Sequence, residues 1–243
     1  MIPTASSRRS TTASLFISSR PRRLIAAALA LACLGGLMLI VDVDVARWCK
    51  AGHTPKELMR FFNFSEVFGH GIGVATLLLT AAVLDPSLAR PRFGILPVSR
   101  DFVRMVATAF AGGIMANIIK VTPLDRVRPR ATDLTAALTA VSTFGESLAA
   151  TIASHSDRNS FPSGHAATAA GLAVALSWKY PRGRWLFALL AVSASAQRVA
   201  SSAHYPSDVF FGAALGLVGA ALILGSREPE TPLHGADVPQ PVR

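Results

Sequence analysis

Apolar residues in this chain come in long runs rather than in strand-like alternation or narrow helical stripes. Six predominantly apolar stretches fall at roughly 24–43, 66–84, 101–121, 164–179, 184–202 and 207–225, the second and fourth being short. A helix that crosses a hydrocarbon core needs about 20 such residues. Backbone polar groups in lipid have to be satisfied within the segment, which leaves helices as the spanning element. The pattern therefore predicts an all-α fold, a polytopic six-helix transmembrane bundle over 24–225. Gly112, Gly113, Gly171, Gly212, Gly216 and Gly219 lie inside the runs, where small residues let helices approach closely. A basic tail, 1–23, precedes the bundle, and a tail rich in Pro and charge, 226–243, reads as disordered.

Arg8, Arg9, Arg20, Arg22 and Arg23 followed by Leu24–Val41 resemble a signal sequence. The apolar run continues past Cys33, however, and Ala30 stands where a lipoprotein cleavage site requires a large aliphatic residue. An uncleaved first transmembrane helix is the expectation.

Composition sharpens the membrane reading. Apolar residues make up 51% of the chain and charged residues only 16%, where a soluble domain carries about a quarter. The net charge of +10 would suit nucleic acid or an anionic membrane. The apolar bulk and the lack of a nucleic-acid-binding motif favour the membrane and exclude nucleic acid as a partner. Cys33 and Cys49 are too few for a disulfide framework.

Basic residues are expected to lie mainly on the cytoplasmic side. With the N-terminus inside, that side holds 14 of the 24 Lys and Arg residues. Five of the other ten (Lys120, Arg126, Arg128, Arg130 and Arg158) crowd the loop after the third helix, and Arg198 lies near the outer end of the fifth. Cations gathered on the disfavoured side suggest an anionic substrate there. High Ala and Arg content fits a bacterial chain, and hence an inner (cytoplasmic) membrane protein with its site on the periplasmic or extracellular side.

Three segments on that face carry chemistry. They are Lys120–Pro129, Phe161–His165, and Arg198 followed by His204 and Asp208. Lys120, Arg128 and Arg198 can surround a phosphoryl group, arginine with a planar donor fork and lysine with a compact charge. Ser163 precedes an apolar helix as an N-cap, so free backbone N–H groups and the helix dipole favour an anion there. Gly164 lets that anion approach the backbone. His165, one residue on, is placed to protonate a leaving oxygen. Pro206 suits the first position of a helix, which lets Asp208 reach back to one nitrogen of His204 and leaves the other free to attack. Attack by neutral His204 on phosphorus gives a phosphohistidine, which water then hydrolyses. No cofactor or metal is called for.

These segments resemble the type 2 phosphatidic acid phosphatase superfamily, whose pattern is Lys-x6-Arg-Pro, Pro-Ser-Gly-His and Ser-Arg-x5-His-x3-Asp. The second motif is complete at Pro162–His165. The third matches at Arg198, His204 and Asp208, with Gln197 in place of Ser. In the first, seven residues rather than six separate Lys120 from Arg128. The Pro123–Asp125 turn could absorb the extra residue, or Arg126 could take over part of the phosphate contact. The resemblance covers roughly 60–225 and implies a metal-independent membrane phosphatase of acid-phosphatase type. It implies catalytic residues His204, His165 and Asp208, and phosphate-binding residues Lys120, Arg128, Ser163, Gly164 and Arg198. Implied substrates are phosphatidic acid, phosphatidylglycerol phosphate, undecaprenyl diphosphate or a lipid A phosphate.

A phosphatase of a small soluble ester, vanadate-dependent haloperoxidase chemistry and a non-catalytic anion binder are the alternatives; the membrane helices and the intact His204–Asp208 pair argue against the last two. Asp42, Asp44, Glu66 and His70 read as solvated residues near helix ends, and Asn117 as an interhelical hydrogen-bonding group. The loop 131–160, with Glu146, His155 and Arg158, could line or cover the way in to the site.

Overall fold

The computed structural model describes residues 19–89, 99–121, 125–137, 139–145 and 155–225. Both tails and part of the loop, with Glu146, lie outside the described residues, as does the side chain of His155. Among the described residues ten α-helices follow one another: α1 Ser19–Met38, α2 Asp42–Lys50, α3 Lys56–Ser65, α4 Gly71–Leu84, α5 Pro86–Ala89, α6 Arg100–Lys120, α7 His155–Arg158, α8 Gly164–Lys179, α9 Arg184–Ala200 and α10 Pro206–Gly225. Among the described residues no strand forms; the only bridges join Arg126 to Phe144 and to Asn159.

Helices α6, α8 and α10 pack on one another at the centre; α1 lies along α10, and α9 lies along α8 with α3 against it. Small residues permit this. A Cβ on Gly112 would collide with the backbone of Gly216 across the α6–α10 contact, and one on Gly216 with the carbonyl of Ala167 on α8. The core is completed by Val74, Leu78, Met105 and Leu172. The outer surface is apolar as well: Leu29, Ile72, Val83, Trp185 and Val192 are each more than 60% exposed. In water such a surface would cost about 25 cal/mol per Å²; in a bilayer it costs nothing.

α1, α6 and α10 are each long and apolar enough to span, and the pair Lys56–Phe68 and Gly71–Leu84, bent by 66°, adds a fourth if it acts as one span. α8 and α9 fall in expected stretches but hold only 16 and 17 residues. Three to four spans are therefore established by length and composition, and the count of six belongs with the proposed topology.

The first helix differs from expectation. It stops at Met38 rather than near residue 43, the chain turns, and α2 starts at Asp42. The turn carries Asp42 away from the apolar run into contact with the N-terminus of α10, where its Oδ1 accepts from the Ser207 N–H at 2.9 Å. The orphan N–H donors at a helix start favour such an anion.

The described parts of the loop after α6 pack down rather than standing free. Leu134 and Ala137 bury themselves with Val43, Ala46 and Tyr205. Arg47 donates to the carbonyls of Leu134 and Ala137, and Lys50 to that of Thr132. Arg47 and Lys50 thus hold the loop to α2, and Arg130 and Arg158, two of the cations read above as gathered for an anionic substrate, pair with Asp157 and Asp125. Their place on this face has a structural cause, not only an anionic ligand.

Candidate active site

The C-terminal ends of α6 and α9 and the N-terminal ends of α8 and α10 meet at one end of the bundle, and every predicted site residue is there. α8 begins as the sequence suggests: the Ser163 hydroxyl accepts from the Ala166 N–H at 3.4 Å. Gly164 follows, and a Cβ built on it would lie 3.8 Å from Lys120 Nζ and 3.7 Å from Asn117 Oδ1. The extra residue in the first motif has therefore not carried Lys120 away from the helix start. Asn117 shares that position at the start of α8.

At the end of α9 the spacing of the third motif has a backbone explanation. The carbonyl of Arg198 accepts from the N–H groups of both Ala203 and His204, at 3.0 and 3.1 Å. Ser202 turns the chain with φ of 55°, in the left-handed region. The turn is held from outside by the Arg130 N–H, which donates to the Ser202 carbonyl. A fixed five-residue spacing thus aims both Arg198 and His204 at one place.

His204 is buried. Its Nε2 lies 3.4 Å from Arg128 Nη1, and its Nδ1 lies 3.7 Å from Asp208 Oδ2. The second distance exceeds a hydrogen bond; catalytic contacts are often long before substrate tightens them. Ser160 Oγ, 3.5 Å from Nδ1, stands beside the pair and donates to Asp208 Oδ2 at 2.6 Å. Burial pushes the pKa of His204 down to about 4; Asp208 opposes the shift, and Arg128 and Lys120 add to it. The shift favours the uncharged ring at neutral pH, with Nε2 turned towards Arg128.

Asp208 does two jobs. Its Oδ2 accepts from the Tyr205 N–H at 2.9 Å, capping α10 from its third position in the manner of a capping box. The same oxygen faces His204. The backbone carbonyl of Asp208 accepts from the Ser163 N–H, which ties the starts of α8 and α10 together.

Lys120, Arg128 and Arg198 are close enough for their charges to act on one another. Burial, with Arg130 and Arg198 nearby, lowers the pKa of Arg128. Such a gathering of like charge is costly unless an anion joins it. Arg198 Nε is buried without a hydrogen-bond partner, while Nη1 is held by Glu66 at 2.6 Å and by the Gln197 side chain. His165 sits in the first turn of α8, where the charges of Arg198 and Lys120 reach it.

Four groups here were misread or passed over in the sequence. Asp42 is fully buried rather than solvated. Glu66 pairs with Arg198, and the His70 ring lies 5.8 Å from that of His165. Arg126 does not reach towards the phosphate position: it is fully buried and points inward to Asp208 and Asp42. Asp44, by contrast, is exposed beside Arg47 as expected. The bend between α3 and α4, which brings Glu66 and His70 to the site, and the turn that brings Asp42 leave no local trace in the residue pattern.

A family model described as the PAP2 superfamily matches residues 101–231, more than half of the chain. The chain belongs to the PAP2 superfamily. Curated relatives include a lipid A 1-phosphatase from Rhizobium johnstonii, 28% identical over 156 residues that make up 60% of each chain. Another, from Rhizobium etli, is 31% identical over 128 residues, 53% of this chain and 51% of that one. The chain thus spans between about half and three-fifths of the length of the curated relatives it matches. Among solved structures, it is similar to a transmembrane PAP2-type phosphatidylglycerolphosphate phosphatase from Bacillus subtilis. The TM-score is 0.57 at 19% identity, over 86% of this chain and 96% of that one. LpxE from Aquifex aeolicus gives a TM-score of 0.54 at 19% identity, over 76% and 96%. This PAP2 chain therefore has the multi-pass, all-helical membrane fold of those structures. The matched span contains all three motif segments; Asp42, Glu66 and His70 precede it.

Proposed function

We propose that this PAP2 protein is a membrane phosphatase that hydrolyses a phosphomonoester or diphosphate of a lipid through a phosphohistidine intermediate. The observation that carries the proposal is the convergence of neutral His204, backed by Asp208, on the same helix end that Lys120, Arg128, Arg198 and His165 surround.

Phosphate binds at the start of α8 between Lys120, Arg128 and Arg198, with Ser163 and Gly164 beneath it. His204 Nε2 attacks phosphorus; the P–O bond to the lipid breaks, and His165, whose charged form is favoured once the phosphate anion is bound beside it, gives its proton to the leaving oxygen. Asp208 stabilises the positive charge that develops on His204. Water then attacks the phosphohistidine, gives its proton to His165 and releases inorganic phosphate, which restores both histidines. The three cations stabilise charge on the equatorial oxygens, the main source of catalysis in phosphoryl transfer. Metal is not required, because Lys and Arg fill that role.

Two observations support a lipid as the substrate: the apolar outer surface, which suits a site open to a bilayer edge, and the name of the Rhizobium relatives. A lipid A-type phosphate is the substrate to test first. With the Lys/Arg bias, the site lies on the outer face of six crossings in an inner membrane.

The test is phosphate release by detergent-solubilised protein from a panel of lipid A, phosphatidic acid and isoprenyl phosphates, with and without EDTA, beside His204→Ala. Release from one lipid class, lost in the variant and indifferent to EDTA, is the expected result. Release from a soluble ester alone would replace the lipid reading, and strong EDTA inhibition would overturn the metal-free step.

A further inference from the structure

The most heavily bonded group near the site is one that the mechanism above does not use. Arg126 lies between two carboxylates, all three fully buried. Its Nη1 donates to Asp208 Oδ1 at 2.5 Å and to Ser207 Oγ at 2.8 Å. Its Nη2 donates to Asp42 Oδ2 at 2.7 Å, and its Nε to Thr143 Oγ1 at 2.9 Å. The guanidinium is also covered by two rings, Tyr205 at 3.9 Å and Phe144 at 4.6 Å from its carbon to the ring centre. Asp42 in turn holds the Ser207 N–H and hydroxyl.

The consequence is a division of labour between the two oxygens of Asp208. Oδ1 is committed to Arg126; Oδ2 receives Tyr205 N and Ser160 Oγ and faces His204 Nδ1. With Oδ1 held by a planar donor, the carboxylate cannot rotate, and the second oxygen keeps its aim at the imidazole. We propose that Arg126 and Asp42 are positioning residues for the nucleophile, forming with Asp208 a buried Asp42–Arg126–Asp208 chain that holds His204 for attack.

Two further arguments bear on this. Truncating one member of a buried ion pair leaves an uncompensated charge, so so costly a cluster calls for a reason to exist; packing alone would be met by apolar residues of similar volume. The cluster also has a charge sum that suits the reaction. With His204 neutral, two carboxylates and one guanidinium give −1; with the phosphorylated, positively charged imidazole they give zero. Asp42 contributes that extra negative charge from a part of the chain that precedes the span matched by the family.

The inference rests on the phosphohistidine reading, and its experiment separates the two. The protein in detergent is assayed for phosphate release from the lipid class that the panel assay identifies, as wild type, Asp42→Asn, Arg126→Gln, Asp208→Asn and the pairwise combinations with Asp208→Asn. Asp42→Asn keeps shape and loses charge. Its expected effect is a loss of ~10-fold or more in kcat with KM little changed, and almost no further loss once Asp208 is already Asn, since groups that act through one another are not additive.

The pH profile gives a readout that a merely structural role would not move. The groups that act on His204 directly are Lys120 on α6, Arg128 on the following loop, His165 on α8 and Asp208 on α10; Asp42 on α2 and Arg126 stand behind Asp208. Removing the negative charge of Asp42 disfavours the imidazolium, so the acid limb of kcat/KM moves to lower pH. Removing the positive charge of Arg126 moves it to higher pH. Wild-type kcat in Asp42→Asn, additive losses in the Asp208→Asn background, or limbs that do not move apart would each overturn the proposal while leaving the phosphatase reading intact. Failure of wild type to release phosphate would overturn both.

Discussion

The body and the N-terminus of α10 are held by opposite means. Along its body, Gly212, Gly216 and Gly219 bring α6 and α8 so close that no side chain fits between them. There the lining is small and apolar, and the large residues (Leu222 on α10, Val192 and Trp185 on α9) face outward. At its N-terminus the same helix is held by the bonded polar groups Asp42, Arg126, Ser207 and Asp208, with Tyr205 packed beside them. The body needs only backbone hydrogen bonds and close van der Waals contact, which lipid does not disturb. The end must satisfy unpaired N–H groups and hold a carboxylate at a fixed angle, and only buried, mutually bonded polar groups do that. Stability is thus concentrated in one region and chemistry in the other, on the same helix.

The comparison is most sharply broken at the chemical end. His204→Ala should lower kcat by about 10⁴-fold or more, since the nucleophile is lost, while the melting temperature in detergent changes by only a few degrees. A large drop in melting temperature would mean that His204 is structural. Arg198→Lys keeps the charge but loses the planar fork, and a loss of roughly 10²-fold in kcat/KM is expected from removing one positioned donor. Wild-type kinetics would show that a point charge suffices.

At the packing end the effect should reverse. Gly112→Ala places a methyl against the Gly216 backbone, and overpacking of that kind costs about 1–3 kcal/mol. The expected outcome is a lower melting temperature with kcat per folded molecule unchanged. A kcat effect without a stability effect would show that the helix body transmits to the site.

Acid stability gives a smaller and pH-dependent effect. His204 has a folded pKa of about 4, below the ordinary 6.5. Between those values the unfolded chain binds a proton that the folded chain refuses, so stability is present above about pH 6.5 and falls as pH drops towards 4. Denaturant titrations of wild type and His204→Asn across that window should converge as pH falls; parallel curves would contradict the shift. Least of all should come from Leu189→Ser on the outer face of α9, where 53% of the side chain is exposed; a change within about 0.5 kcal/mol in detergent is expected.

Much of the site was legible in the residues. The 3-residue and 5-residue spacings around His204 are dictated by the turn that ends α9 and the cap that starts α10, both local structures. Ser163 and Gly164 likewise announce a helix start, and the apolar runs announce the helices. What residue order alone determined is therefore an all-helical membrane chain of the PAP2 family with three motif segments on one face, because helix periodicity, capping and turns are set by neighbours within a few positions. Only the tertiary structure decided where the lone polar residues went. Asp42 lies 84 residues from Arg126, and Glu66 lies 132 from Arg198; a solvated acid at a helix end and a buried partner look alike until the helices pack. The same holds for Arg126, which stands two residues from Arg128 yet turns the other way. Arg128 lies against His204 and Arg126 turns to the core, because two carboxylates from distant helices, Asp42 and Asp208, meet beneath that loop.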